Sequence, residues 1–217
     1  MNSAIIVAAG KGLRVGLNYP KQFHKLDGKE ILSYSVNKFI NHPKIHEVII
    51  VCHEDWAEHS KKYYPRCITV IGGKRRQDSS LNGVLATNIN SENILIHDAA
   101  RPFITTKLID ECLSALENFD ASAPIIDSNN SIIKLDENKI LSIKREEIKL
   151  VQTPQCFNRN LIIDILESSI DGTDEIGMLL QFDRKKRIKL VQGHVNNIKI
   201  TTKLDLILAA SILKESN

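Results

Sequence analysis

Glycines and cations alternate in the segment that follows the first apolar run of the chain. Residues 3–21 read SAIIVAAGKGLRVGLNYPK, with Gly10, Gly12 and Gly16 set among Lys11, Arg14 and Lys21. Glycine lets a ligand approach the backbone and tolerates φ > 0. Peptide N–H groups and fixed cations beside it attract an anion, so the loop is suited to cradle phosphate. The glycines read G-x-G-x-x-x-G, one residue off the dinucleotide spacing, and no acidic residue ends the second apolar run to hold a ribose. Gly-Lys-Ser/Thr never occurs, which excludes the Walker pattern. The charge of Arg14 and Lys21 suits a triphosphate; Lys11 reads equally well as a solvated surface lysine.

Two further polar loops follow apolar runs. Gly72-Gly73 opens GGKRRQDSS, in which Ser79 and Ser80 either read a base edge or cap a helix. HDAARPF follows NILIH and carries Asp98 and Arg101. A carboxylate there is suited to a hard divalent ion, because Mg²⁺ takes few protein oxygens when phosphates supply the rest. The competing reading of Asp98 is a helix cap. His97 reads as a packed strand-end histidine rather than a proton shuttle.

These loops need elements to hold them. Ala4–Val7 is a continuous apolar run, as expected of a strand buried on both faces, Glu47–Cys52 reads as a second buried strand, and Cys67–Ile71, Asn93–His97 and Ala121–Ile126 read as the third, fourth and fifth strands. Helical stripes separate them: Leu32, Val36, Phe39 and Ile40; then a polar helix over 54–63; then Leu81, Val84 and Leu85; then Ile109, Cys112, Leu113 and Leu116. Alternating strands and helices imply an α/β fold with a mostly parallel sheet and helices on both faces. Ligands bind beyond the carboxyl ends of such strands, so the loops at 8–21, 72–80 and 97–103 are expected to meet in one crevice.

After residue 130 the pattern changes. SIIKLDENKILSI, residues 131–143, reads as a hairpin turning at Asp136-Glu137-Asn138. It is too short to own a core, so it either packs on a second subunit or folds back on its own domain. Strands are expected at 148–152, 188–192 and 198–200, and helices at 161–166 and 174–182. A last helix starts near Thr202 with Asp205 as a variant capping box and Leu206, Ala209, Ala210 and Leu213 as its buried stripe.

Composition narrows the function classes. The chain has 217 residues, 42% hydrophobic and 25% charged, ordinary for a globular protein. A formal charge of +3 and 5% aromatics argue against a nucleic-acid partner. Cys52, Cys67, Cys112 and Cys156 show no CxxC spacing and read as reduced thiols rather than a zinc site. No run is long enough to span a membrane, and the chain opens on a strand, so no signal peptide and a cytoplasmic location are expected.

AAGKGLR with PKQF, GGKRRQDS, HDAARPF, VQTPQCF and NNIKIT together resemble the 2-C-methyl-D-erythritol 4-phosphate cytidylyltransferase family, from residue 4 to about residue 209. The ribitol-5-phosphate cytidylyltransferases share most of these motifs. GGKRRQDSSLNG and HDAARP look like the methylerythritol branch. The resemblance implies a Rossmann-like three-layer sandwich with a protruding β-arm, forming a single nucleotidyltransferase domain over 1–217. It implies Mg²⁺-assisted transfer of a cytidylyl group from CTP to a polyol phosphate. By resemblance, Arg14 and Lys21 act on the triphosphate and Lys199 reaches the phosphates from the C-terminal side. Ala8, Ala9, Gly10, Gly12, Gly73, Lys74 and Ser79 frame the nucleotide. Asp98 and Arg101 serve the metal and the acceptor, with Thr153 of QTPQ. Arg145, eight residues before Thr153, matches the family's acceptor-phosphate arginine, which comes from a neighbouring subunit; this implies a homodimer through an arm at about 128–147.

One segment departs from the family pattern. The family writes Pro-Val-x-Asp-Thr-Ile-Lys, its threonine contacting the acceptor phosphate. Here Pro124-Ile-Ile-Asp127-Ser128-Asn-Asn-Ser131-Ile-Ile-Lys134 carries an insertion, and Ser128 or Ser131 stands for the threonine. Two readings from other classes are weaker: a nucleotide-binding regulator without catalysis, and a hydride-transferring enzyme.

Overall fold

The computed structural model describes residues 1–10, 12, 16–136 and 139–216. In chain order the elements are β1 (Asn2–Ala8), β2 (Lys25–Leu26), β3 (Lys29–Glu30), α1 (Ile31–Ile40), β4 (Glu47–Cys52), α2 (Ala57–Tyr63), β5 (Ile68–Ile71), α3 (Arg76–Leu85), β6 (Asn93–Asp98), α4 (Thr106–Ala115) and β7 (Ala121–Asp127). Then follow β8 (Ile132–Asp136), β9 (Lys139–Ile143), β10 (Lys149–Val151), β11 (Gln155–Asn158), α5 (Arg159–Glu167), α6 (Glu175–Phe182), β12 (Ile188–Gln192) and α7 (Lys203–Ser216). Short 3-10 turns precede α2 and carry Lys21–Phe23.

One sheet runs β11-β6-β1-β4-β5, and on its far side β11 continues to β7. The β1, β4, β5 and β6 pairings are parallel. β11 is antiparallel to both β6 and β7. Along one edge of β7, Ser122 pairs with Cys156 of β11 and Ile125 with Val151 of β10; along the other edge β12 runs parallel. The result is the expected Rossmann-like α/β sandwich.

The runs of β1, β4 and β6 are apolar because both faces are covered, whereas β5 is an edge strand with Ile68 and Ile71 exposed. Ala4, Ile6, Val48, Ile50 and Leu95 face one core with Leu32, Val36 and Phe39 of α1 and Leu108, Ile109 and Cys112 of α4. Ile5, Ile49, Val51, Ile94 and Ile96 face the other, with Val84 of α3 and Ile162 and Ile165 of α5. Alternate residues of a strand point to opposite faces, which assigns the two sets. A Cβ on Gly83 would meet Ile5 Cγ2 at 2.5 Å and Val51 Cγ2 at 2.8 Å, so α3 lies directly on the sheet there.

Three expectations need correction. β11 has no counterpart in the predicted strands, although it stands in the middle of the sheet; its four residues follow Pro154 and carry no long apolar run. Residues 198–200 form no strand; Ile200 instead donates its N–H to the Ala100 carbonyl at 2.9 Å. Leu85 is 53% exposed, while Val84 of the expected stripe is buried together with Ser80 and Gly83. The capping of α7 is as expected: Asp205 Oδ2 accepts the Thr201 and Thr202 N–H groups at 2.8 and 2.7 Å.

β8 and β9 form a separate two-stranded ribbon. Leu135 pairs with Ile140, and both are 72% exposed. Glu137 and Asn138 of the expected turn lie outside the described residues. Cys52, Cys112 and Cys156 are buried free thiols and Cys67 is half-buried. Among the described residues no helix is long and apolar enough to cross a membrane.

Candidate nucleotide-transfer site

Strand register brings the loops together. Val7 of β1 lies beside Val51 of β4 and Asp98 of β6. Ala99 donates to the Val7 carbonyl at 3.2 Å, and Gly72, leaving β5, donates to the Cys52 carbonyl at 2.8 Å. The glycine loop, the GGKRR loop and the HDAAR loop therefore start side by side. Between them opens a crevice of about 410 Å³, lined by Ala8, Ala9, Gly10, Gly12, Lys21, Gln22, Gly73–Arg76, Ser79, Asp98 and Lys199. A wider groove of about 840 Å³ lies at the opposite end of the strands, lined by residues such as Asn2, Lys44, Asn93 and Arg159. None of the described residues of these three loops lines it.

Gly12 has φ +63°, and a Cβ there would meet Lys21 N at 3.0 Å and Cγ at 3.1 Å. The loop backbone thus rests on Lys21, which is buried. Arg14 and Lys11 lie outside the described residues. In the second loop, the Gly73 N–H donates to Ser79 Oγ at 3.1 Å, which fixes the loop to the first turn of α3. A Cβ on Gly73 would meet Asp78 Cβ at 2.3 Å. The cap of α3 is Asp78, whose Oδ2 accepts the Arg75 N–H at 3.0 Å, so neither serine caps the helix.

Asp98 is the electrostatic centre of the crevice. Its Oδ2 lies 2.9 Å from Lys199 Nζ and 3.3 Å from Arg101 Nε, and its Oδ1 lies 3.5 Å from Arg76 Nη2. Burial pushes the carboxyl pKa up, but Lys199, Arg76 and Arg101 more than reverse this and hold it well below the usual carboxylate range. Asp98 is thus an ionised acceptor rather than a helix cap. His97 is fully buried, between Thr153 Oγ1 at 3.0 Å and the Arg101 carbonyl at 3.0 Å. Burial drives its pKa down to about 4, which keeps the imidazole neutral.

The remaining expected residues divide into two groups. Thr153 is behind the crevice, its hydroxyl accepting the Asp98 N–H at 3.1 Å. Arg101 also donates to the Asn197 carbonyl at 2.8 Å, which ties the segment before Lys199 to the site. Ser128 and Ser131 stand at the arm's root, between β7 and β8, outside the crevice lining. Arg145 follows β9, is 59% exposed and pairs with its neighbour Glu146 at 3.2 Å. Within one chain the arm and the crevice do not converge among the residues described.

Three side chains were not singled out from sequence. Arg76 lies within the quoted GGKRRQDS and Gln22 within PKQF, but spacing gave neither a partner. Arg76 Nη1 bonds Glu175 Oε1 at 2.6 Å, and Ser80 Oγ bonds the same oxygen at 2.6 Å. Glu175 is fully buried at the start of α6 and reaches α3 only through the packing of distant segments. No local pattern could have joined residues 76 and 175.

Comparison with known proteins agrees with this geometry. A solved structure titled 4-diphosphocytidyl-2C-methyl-D-erythritol synthase from Anaerococcus prevotii superposes with a TM-score of 0.88 at 30% identity, covering 99% of this chain and 96% of that one. The bifunctional IspDF from Campylobacter jejuni gives a TM-score of 0.83 at 25% identity, covering 95% of this chain and 53% of that one. The 2-C-methyl-D-erythritol 4-phosphate cytidylyltransferase of Clostridium botulinum (strain 657 / Type Ba4) is 40% identical over 99% of this chain and 98% of its own length. A Haemophilus influenzae bifunctional ribulose 5-phosphate reductase/CDP-ribitol pyrophosphorylase is 35% identical over 98% of this chain and 48% of its own length. The family model of IspD, 2-C-methyl-D-erythritol 4-phosphate cytidylyltransferase, matches residues 2–215. With the fold, the crevice and its motifs all of one kind, the chain belongs to the 2-C-methyl-D-erythritol 4-phosphate cytidylyltransferase (IspD) family.

Proposed function

We propose that the crevice binds CTP and that the chain transfers its cytidylyl group to 2-C-methyl-D-erythritol 4-phosphate. The observation that carries this reading is the single crevice in which the glycine loop on Lys21, the GGKRR loop and the ionised, cation-ringed Asp98 meet. An oxygen of the acceptor phosphate attacks the α-phosphorus of CTP. The bond to the β-phosphate breaks, its electron pair leaves on pyrophosphate, and the CDP-polyol remains. No covalent bond to the protein is needed. The chain aligns the reactants and neutralises developing charge.

In this reading Lys21 meets the triphosphate from beneath the glycine loop and Lys199 meets it from the C-terminal side; Arg14 is assigned to the triphosphate by the family resemblance alone. Ala8, Ala9, Gly10, Gly73, Lys74 and Ser79 frame the cytosine, for which a purine would be too large. A divalent ion fits as one carried in by the nucleotide. Asp98 is ionised, and its Oδ1 has only the 3.5 Å approach of Arg76 among the described residues. One carboxylate plus phosphate oxygens is an ordinary Mg²⁺ donor set. Bound there, the ion would neutralise phosphate charge. Chelation is expected to abolish pyrophosphate release, with recovery on adding Mg²⁺.

We further propose one nucleotidyltransferase domain over 1–217, working in the cytoplasm as a homodimer. The arm at about 128–147 would bring Arg145, with Ser128 or Ser131, to the partner's acceptor phosphate. The exposed Leu135–Ile140 pair supports this, because an isolated two-stranded ribbon is marginal in water. The insertion at the arm's root and the 35% identity to a CDP-ribitol pyrophosphorylase give ribitol 5-phosphate a place as the alternative acceptor. A panel of polyol phosphates with CTP, followed by pyrophosphate release, decides between them. Turnover of methylerythritol phosphate is expected; turnover of ribitol 5-phosphate alone would transfer the chain to the sister activity.

A further inference from the structure

Gln22 stands next to Lys21 and is only 3% exposed. Its Nε2 donates to the carbonyl oxygen of Ala8 and, at 2.9 Å, to that of Gly10. Ala8 ends β1 and Gly10 lies two residues into the glycine loop, so one amide spans the loop's root. Two carbonyl oxygens can be bridged only by a donor, and the carboxamide nitrogen is the donor here. A trans peptide holds its C=O and N–H on opposite sides. Drawing the Ala8 carbonyl onto Gln22 therefore turns the Ala9 N–H the other way.

The residue after Gln22 is anchored too. Phe23 stacks on Trp56 with ring centroids 4.1 Å apart and planes at 10°. The 3-10 turn bearing Lys21 is thus tied through Gln22 to the loop's root and through Phe23 to an aromatic ring, while Gly12 rests on Lys21 itself. We infer that Gln22 is a positioning residue for the nucleotide site. Its amide fixes the peptide planes at Ala8 and Gly10 and keeps them in register with Lys21. The inference rests on the reading of the crevice as the CTP site. It predicts that what matters at position 22 is the donated proton pair, not volume: methionine would fill the space and take this donor from both carbonyls, and glutamate would set a negative charge against them.

The test is calorimetric titration of CTP with Mg²⁺ and no acceptor into wild type, Gln22→Met, Gln22→Glu and Gln22→Asn, followed by steady-state kinetics. The Kd for CTP is expected to rise at least about tenfold in the Met variant and further in the Glu variant. The acceptor KM should stay within about twofold of wild type. The Asn variant keeps a shorter amide and should fall between Met and wild type, and it decides the matter if the Met variant does not fold. CTP binding by Gln22→Met within about twofold of wild type overturns the inference. So does a lower kcat with unchanged CTP KM, which reports only lost folded enzyme. Absence of CTP binding by wild type would instead bring down the nucleotide reading, and this inference with it.

Discussion

Lys199 Nζ lies 2.9 Å from Asp98 Oδ2. The two residues come from opposite halves of the chain, and their meeting closes the crevice on its C-terminal side. Asp98 is 9% exposed at its side chain and Lys199 is 39% exposed. The lysine is therefore the wet partner, and under the proposed reading it is the one to exchange the carboxylate for a phosphate.

Replacing Lys199 with alanine is expected to lower kcat by at least about tenfold, a loss of roughly 1.4 kcal/mol of transition-state stabilisation. Lys199→Arg keeps the charge and should recover part of it. Initial-rate measurements of pyrophosphate release check both, and equal rates for Lys199→Ala and wild type would remove the residue from the reaction.

Lys21 is buried beneath Gly12, so Lys21→Met preserves much of the packed stem while deleting the charge. The kcat should again fall by at least about tenfold, with a smaller effect on the acceptor KM. Unchanged turnover would show that the charge under the loop does not reach the phosphates.

The arm carries a prediction about assembly. Ile133, Leu135 and Ile140 are 59%, 72% and 72% exposed, and Leu135 and Ile140 are cross-strand partners. Placing lysine at 135 and 140 should convert a dimer to monomers in sedimentation velocity. Arg145→Ala should leave the dimer intact and chiefly raise the acceptor KM. A change confined to the CTP KM would mean that the arm does not serve the acceptor.

Acid should destabilise the fold through His97. Its pKa is about 4 in the folded chain and 6.5 ordinarily, because burial outweighs the hydrogen bond to the Arg101 carbonyl and the pull of Asp98; Arg101 and Lys199 push it the same way as burial. Between these values the unfolded chain binds the proton and the folded chain does not, so stability falls as pH drops through the window. The shift corresponds to about 3 kcal/mol by pH 4. Asp98, held low by its cations, adds to the loss below about pH 4, where the unfolded carboxyl protonates. Denaturant titrations from pH 7 to pH 4 should show the decline, and His97→Gln should flatten it.

The strands and their loops were legible because their causes are local. A strand covered on both faces must be apolar at nearly every position, and a loop that admits phosphate must be glycine and charge, so β1, β4 and β6 and the loops after β1, β5 and β6 stand out residue by residue. β11 was not legible, since it is held by pairing with β6 and β7 on either side rather than by a long run of its own. The unformed strand at 198–200 was apolar enough to mislead; Ile198 and Ile200 are consumed in packing against α7.

By itself, then, the sequence determined the α/β class, the three loops and the family, because backbone conformation and burial act over a few residues. Only the tertiary structure decided the company each side chain keeps. Asp98 met Lys199 and Arg76, Arg76 met Glu175, and Gln22 met the carbonyls of its own loop. Hydrogen bonds and ion pairs depend on ångström-scale distance and direction, which the chain acquires only once the sheet sets the loops side by side.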